Sequence, residues 1–156
     1  MRRLPVLVIL LGIGLALMAG ACSNTASSSA SPSVDYLNED SSSTSPYSDA
    51  VRVGSTLYLA GNLGVDKDGK LVPGGISAET EQTLQNLRHV LERNGSSLDR
   101  VANCEVMLAD IKDRDAMNEV YRKYWSPQHF PARHAFGTSG LYLGARVEMA
   151  CVAIMK

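Results

Sequence analysis

The stretch SAETEQTLQNLRHVLERNGSSLDRVANCEVMLA, residues 77–109, carries two periodicities back to back. Leu84, Leu87 and Leu91 recur at i, i+3 and i+7, which lays one apolar stripe along a helix. Ser77 is placed as the N-cap, with Glu79 and Glu81 in the first turn, where the helix dipole favours anions. Asn94-Gly95 supplies a stop, so the helix is predicted over 78–94. Beyond it the period changes to two. Cys104, Val106 and Leu108 share one face of a strand predicted over 101–109.

Working outward, the segments 51–53 and 56–61 alternate around Gly54-Ser55 and read as a β-hairpin. Asp66-Lys67-Asp68-Gly69 is a turn, Leu71-Val72 a short extended piece, and Pro73-Gly74-Gly75 a break. On the C-terminal side, Asp113 is placed as the cap of a second helix that Pro127 ends. Met117, Val120, Tyr121 and Tyr124 form its buried stripe. The last two strands are predicted over 134–138 and 146–154, joined around Gly140-Leu141-Tyr142-Leu143-Gly144. The order β-β-(β)-α-β-α-β-β predicts an α+β domain, a single mixed β-sheet with two helices packed on one face. Its uncovered face is partly apolar, so burial by oligomerisation is expected.

The chain has 156 residues, of which 45% are hydrophobic and 20% charged, enough for one domain. A formal net charge of -1 leaves no excess of cations to neutralise phosphates, which disfavours nucleic-acid binding. Arg2 and Arg3 precede an uncharged run over 4–21 that ends at Cys22. That pattern predicts a signal peptide over 1–21, and Ala19-Gly20-Ala21-Cys22 resembles a bacterial lipobox with Cys22 as the lipidated residue. An uncleaved membrane anchor is the alternative, because 18 apolar residues just span a bilayer. Either way the domain is expected outside the cytoplasm, as a membrane-anchored lipoprotein of the bacterial cell envelope or periplasm. Residues 22–45 are rich in Ser and lack apolar periodicity, so they read as a flexible tether ahead of a folded domain over 46–156.

With Cys22 set aside, Cys104 and Cys151 remain. An oxidising compartment permits a disulfide between them. Two buried free thiols are the expectation, since buried Cys commonly acts as a small hydrophobe. His89, His129 and His134 have no Cys or carboxylate at metal-ligand spacing, and no metal site is predicted.

Two charges stand in apolar surroundings. Glu148 lies in the run VEMACVAI (147–154), which otherwise reads as buried throughout. A carboxylate there is either paired or raised in pKa by desolvation, and both suit a general base that activates water. Arg133 follows Pro131-Ala132 at a strand start, where its planar fork suits two-point binding of a carboxylate. The structural alternative is that Arg133 and Glu148 pair with each other, or that Glu148 faces solvent at an edge. Glu105 reads as solvent-facing or structural, and His134 as an ordinary strand residue.

At these residues the chain resembles the RidA/YjgF family of reactive-intermediate deaminases. The likeness runs from Pro46 to the C-terminus. Its carriers are Pro46-Tyr47-Ser48-Asp49-Ala50-Val51, Leu57-Tyr58-Leu59-Ala60-Gly61, Thr83-Leu84-Gln85-Asn86-Leu87 and Asn94-Gly95-Ser96-Ser97-Leu98. They continue with Met117-Asn118-Glu119-Val120-Tyr121, Pro131-Ala132-Arg133 and Val147-Glu148-Met149. The resemblance implies a homotrimer of chorismate-mutase-like subunits with clefts between neighbours. It also implies hydrolysis of enamine or imine intermediates, such as 2-aminoacrylate or other 2-imino acids, to 2-keto acids and ammonia without metal or cofactor. Carried over, Arg133 grips the substrate carboxylate and Glu148 positions or activates the attacking water. Tyr47 and Asn118 line the cleft, and Gly61 adds backbone contacts. Ala60, Asn62 and Ala135 stand where many members carry more polar or different side chains. The rival to a deaminase is therefore a non-catalytic binding module for a small carboxylate.

Overall fold

A computed structural model describes residues 31–156. The predicted signal peptide over 1–21 and Cys22 lie outside the described residues. Nine elements position the site: β1 (Val34–Leu37), β2 (Ala50–Val53), β3 (Thr56–Leu59), β4 (Asn62–Leu63), α1 (Gly75–Arg93), β5 (Val101–Leu108), α2 (Arg114–Tyr121), β6 (Ala132–Gly137) and β7 (Val147–Ile154). The strands form one mixed sheet in the order β1-β2-β3-β7-β5-β6, with β4 also pairing on β7. Among the described residues only the β5–β6 pair is parallel; the other pairings are antiparallel.

The α+β architecture with one covered face follows from the alternation in the central strands. In β7, Val147, Met149, Cys151 and Ala153 are buried, while Glu148, Ala150 and Val152 turn to the other, half-open face. In β5, Cys104, Val106 and Leu108 are buried in the same way. Leu84, Leu87 and Leu91 of α1 and Met117 and Tyr121 of α2 join the same core, so both helices lie on that one face. The reading of 147–154 as buried throughout is corrected here: the run has a strand period of two, and Glu148 sits on the less covered side.

Three further expectations are corrected. The tether predicted to run to residue 45 contains β1, which pairs residue for residue with β2 from Val34↔Val53 to Leu37↔Ala50. The bond network continues past the strand, because Arg93 of α1 holds both Glu39 (2.5 Å) and Asp49 (2.9 Å). Helix α1 begins at Gly75 rather than 78, so Ser77 is inside it and caps nothing. Ile76 packs against the core, and Thr80 and Thr83 return their hydroxyls to the carbonyls of Ile76 and Glu79, so tertiary burial extends the helix past its best capping residue. Glu79 is likewise no first-turn surface anion: it is buried and accepts from the Arg146 backbone N–H at 2.7 Å. Gly64 permits this docking, since a Cβ there would meet the Glu79 backbone within 2.7 Å of its Cα.

Asp113 stands at the N-terminus of α2 but makes no side-chain cap. Its carboxylate instead takes both arms of the Arg146 fork, at 2.9 and 2.7 Å. Cys104 and Cys151 face each other in register on the covered side, with Cα atoms 4.2 Å apart, and form a disulfide. The expectation of two free thiols fails because β7 inserts beside β5, a neighbour relation that no local pattern encodes.

Candidate functional site

Arg133 sits near the start of β6, at the sheet edge. Its parallel partner is Cys104, whose side chain points to the helices, so Arg133 points that way too. The guanidinium lies 4.5 Å from the Tyr121 ring centroid, with Nη1 3.8 Å from the Met117 sulfur. No carboxylate lies within salt-bridge distance of it among the described residues. Burial holds its pKa below the ordinary arginine value; the Tyr121 hydroxyl acts in the opposite sense, and the Arg114 and Arg122 charges add to the lowering. Tyr121, read from sequence as core packing, is therefore also the platform that holds Arg133 in place. Its buried hydroxyl is pushed up to about 12 by burial, against the pull of Arg133. Asn118, one turn back from Arg122, shares with Arg133 a pocket of about 380 Å³ walled by Tyr121, Phe130 and Pro131.

Glu148 sits elsewhere. It is opposite Leu63 in β4 and opposite Met107 in β5. No hydrogen bond or ion pair engages its carboxylate among the described residues, and burial alone pushes its pKa above the ordinary value. Gly61 lies at the break between β3 and β4, where Glu148 leans over the backbone. A Cβ on Gly61 would come within 2.0 Å of Oε1 of Glu148 and 3.0 Å of its Cδ. Gly61 also lines a cleft of about 890 Å³ with Tyr47, Asn62, Tyr142 and Leu143. Tyr47 is 63% exposed there, and Tyr142 74%. The floor of this cleft is fixed by Asn86 of α1, whose side-chain amide donates to the carbonyls of Leu63 and Val65, both at 2.9 Å.

The predicted site residues thus fall into two groups. Arg133 and Asn118 belong to one, and Tyr47, Gly61 and Glu148 to the other. Along β5 the partners of Arg133 and Glu148 are three residues apart, and the two residues lie two strands apart. That separates their Cα atoms by about 14 Å, on opposite faces of the sheet. Mutual pairing of Arg133 and Glu148 within one subunit is ruled out by this register. Glu105 and His134 pair with each other at 2.8 Å on the outer face and join neither group. Arg122, Phe130, Tyr142 and Leu143 were missed by sequence reasoning. They are ordinary surface residues in any local window, and only the fold brings them to a cleft.

Fold and site together define an α+β domain that presents an unpaired guanidinium from one end of its sheet and a desolvated, unpaired carboxylate from the other face. The family described as "Endoribonuclease L-PSP" matches residues 38–155, and the chain belongs to it. This is the RidA/YjgF family of the sequence resemblance. Among curated relatives, the "2-iminobutanoate/2-iminopropanoate deaminase" of Capra hircus is 43% identical over 110 residues, covering 70% of this chain and 80% of the relative. The human protein of the same name is 41% identical over the same length, with the same shares. Among solved structures, a yeast protein titled YEO7 is 36% identical with a TM-score of 0.74, covering 80% of this chain and 100% of its own. RidA from a Psychrobacter species is 31% identical with a TM-score of 0.68, covering 81% and 99%.

Proposed function

We propose that the protein hydrolyses 2-imino acids to 2-keto acids and ammonia, in a site completed between neighbouring subunits of a homotrimer. The observation that carries this reading is the complementarity of two separated half-sites: a guanidinium without a carboxylate, and a carboxylate without a cation. Placed across a subunit boundary, the Arg133 half of one copy would face the Glu148 half of the next. Arg133 would take the substrate carboxylate in a two-point grip, and its Tyr121 platform limits its freedom. Glu148 would hold water against the electrophilic imine carbon. As the C–O bond forms, a proton passes from that water to the carboxylate. Returned to nitrogen, the proton makes it a leaving group; as the C–N bond breaks, the new hydroxyl passes its remaining proton to the freed Glu148 carboxylate and becomes the keto oxygen, and ammonia departs. The pKa of Glu148, raised by burial, suits a group that both accepts and returns a proton. Names of relatives at about 40% identity support the same chemistry.

The test is to generate imines in situ with an amino-acid oxidase and trap the survivors with semicarbazide. Faster loss of imine with the purified protein, abolished in Arg133→Ala, is the expected result. Ala60 lines the larger cleft without a hydroxyl or thiol, which favours the rival reading of a carboxylate-binding module. That rival predicts thermal stabilisation by small carboxylates with no acceleration of imine loss.

We further place the protein at the bacterial cell envelope as a lipoprotein anchored through Cys22. The support is the basic start, the apolar run and Ala19-Gly20-Ala21-Cys22. The Cys104–Cys151 disulfide adds to it, since such bonds persist in oxidising compartments. Palmitate labelling that vanishes in Cys22→Ala is the expected outcome; labelling that survives the change refutes the anchor.

A further inference from the structure

The pocket around Arg133 holds more positive charge than one carboxylate needs. Arg114, Asn118 and Arg122 follow at four-residue spacing along α2 and its last turn, so they share one side of the helix. Asn118 and Arg122 line the pocket directly with Arg133. Arg122 is oriented rather than free, because its Nε donates to the Asn118 carbonyl at 3.2 Å. Its terminal nitrogens are poorly engaged: Glu119 is the nearest carboxylate, at 3.6 Å, beyond hydrogen-bonding distance. Among the described residues Arg114 has only Asp115 as a carboxylate neighbour, at 3.7 Å. Arg133 itself has no carboxylate at all among the described residues. The wall therefore carries two guanidiniums with unused donors, those of Arg122 and Arg133, together with the Asn118 amide.

One anionic group on the substrate accounts for Arg133. A second cation at the rim, held by its own backbone and without a hydrogen-bonded counter-ion, calls for a second anion. The pocket on one subunit, of about 380 Å³, leaves room beside Arg122 for the distal end of a four- or five-carbon skeleton. We propose that Arg122 binds a distal carboxylate, so that the site prefers 2-imino dicarboxylates of four or five carbons over 2-imino monocarboxylates. The inference rests on the deaminase reading above and adds the substrate class to it. The upstream reaction must then be oxidation at the α-carbon of an acidic amino acid, or β-elimination from an acidic amino acid that carries a leaving group on its β-carbon, since either yields such imines.

The test compares the imine made by an oxidase from glutamate with the imine made from alanine, using the purified protein, Arg122→Ala and Arg122→Lys. Because Arg122 is half-exposed, its pair with a ligand carboxylate is worth up to about fivefold in the ratio of kcat/KM values. The expected result is a dicarboxylate preference of that size in the wild type. It falls to about one in Arg122→Ala, is partly kept in Arg122→Lys, and shrinks with added salt. Acceleration of both imines without preference, and with no response to Arg122→Ala, overturns the specificity while leaving the deaminase reading intact. No acceleration of either imine overturns both.

Discussion

Gly61→Ala separates the geometry of the site from the stability of the fold. The new Cβ would stand 2.0 Å from Oε1 of Glu148 and 3.3 Å from its Cγ, so the carboxylate must retreat by about 1 Å or more to reach ordinary contact distance. The obstacle is the far end of a flexible side chain on the half-open face, which can turn aside without a backbone shift. Loss of folding free energy should therefore stay below about 1 kcal/mol, in the range of mild substitutions. Catalysis is less forgiving. A displacement of about 1 Å in a group that aims water at a carbon costs on the order of 100-fold in rate. The assay is imine loss under semicarbazide trapping, run beside thermal unfolding of both proteins. A drop of that size in kcat with a nearly unchanged Tm is the expected pair of results. Wild-type turnover in Gly61→Ala would refute the role given to Glu148. A matched collapse of Tm would show instead that Gly61 serves packing.

Mixing subunits tests the composite cleft. If Arg133 and Glu148 act across a boundary, equal amounts of Arg133→Ala and Glu148→Gln chains, unfolded and reassembled together, should regain about one quarter of the wild-type sites; no recovery points to both residues acting in one subunit. Glu148 also makes a pH prediction. Its folded pKa is raised above the ordinary 4.5, so ionising it costs the native state stability as pH rises through that raised value. Glu148→Gln should thus match the wild-type Tm at low pH, equal or exceed it at neutral pH, and lack activity throughout, as thermal scans across pH will show. Wild-type kcat should fall as pH drops through the same raised value, because the base is lost there. Removing the disulfide with Cys104→Ala/Cys151→Ala, which opens a 47-residue loop, should cost up to about 4 kcal/mol in denaturant unfolding; dithiothreitol should lower the Tm of the wild type and not of the double variant.

Much of this molecule is legible one segment at a time. Leu84, Leu87 and Leu91 announce α1, and all three are fully buried. The strand over 101–109 is found at Val101–Leu108, and the hairpin turns at Gly54-Ser55 as expected. The errors share one cause. Ser77, Asp113 and residues 34–37 were judged by local preference, whereas each is governed by a distant partner: core contacts of Ile76, the Arg146 fork, and the edge of β2. The apolar composition of 147–154 concealed its alternation, because Ala150 and Val152 are apolar even on the less covered face.

Local patterns alone were enough to find both helices and every strand except β1 and β4, the α+β class, the family, and Arg133, Glu148, Tyr47, Gly61 and Asn118 as candidates. Periodicity and motif order are local properties, set by which side chains a helix or strand can bury. Tertiary structure alone decided that β7 lies between β3 and β5. That single adjacency closes Cys104 on Cys151, brings Glu148 onto Gly61, and sets Arg133 and Glu148 on opposite faces. A strand's own pattern says which of its residues share a side, but not which strand stands next to it. Pairing depends on contacts far apart in the chain.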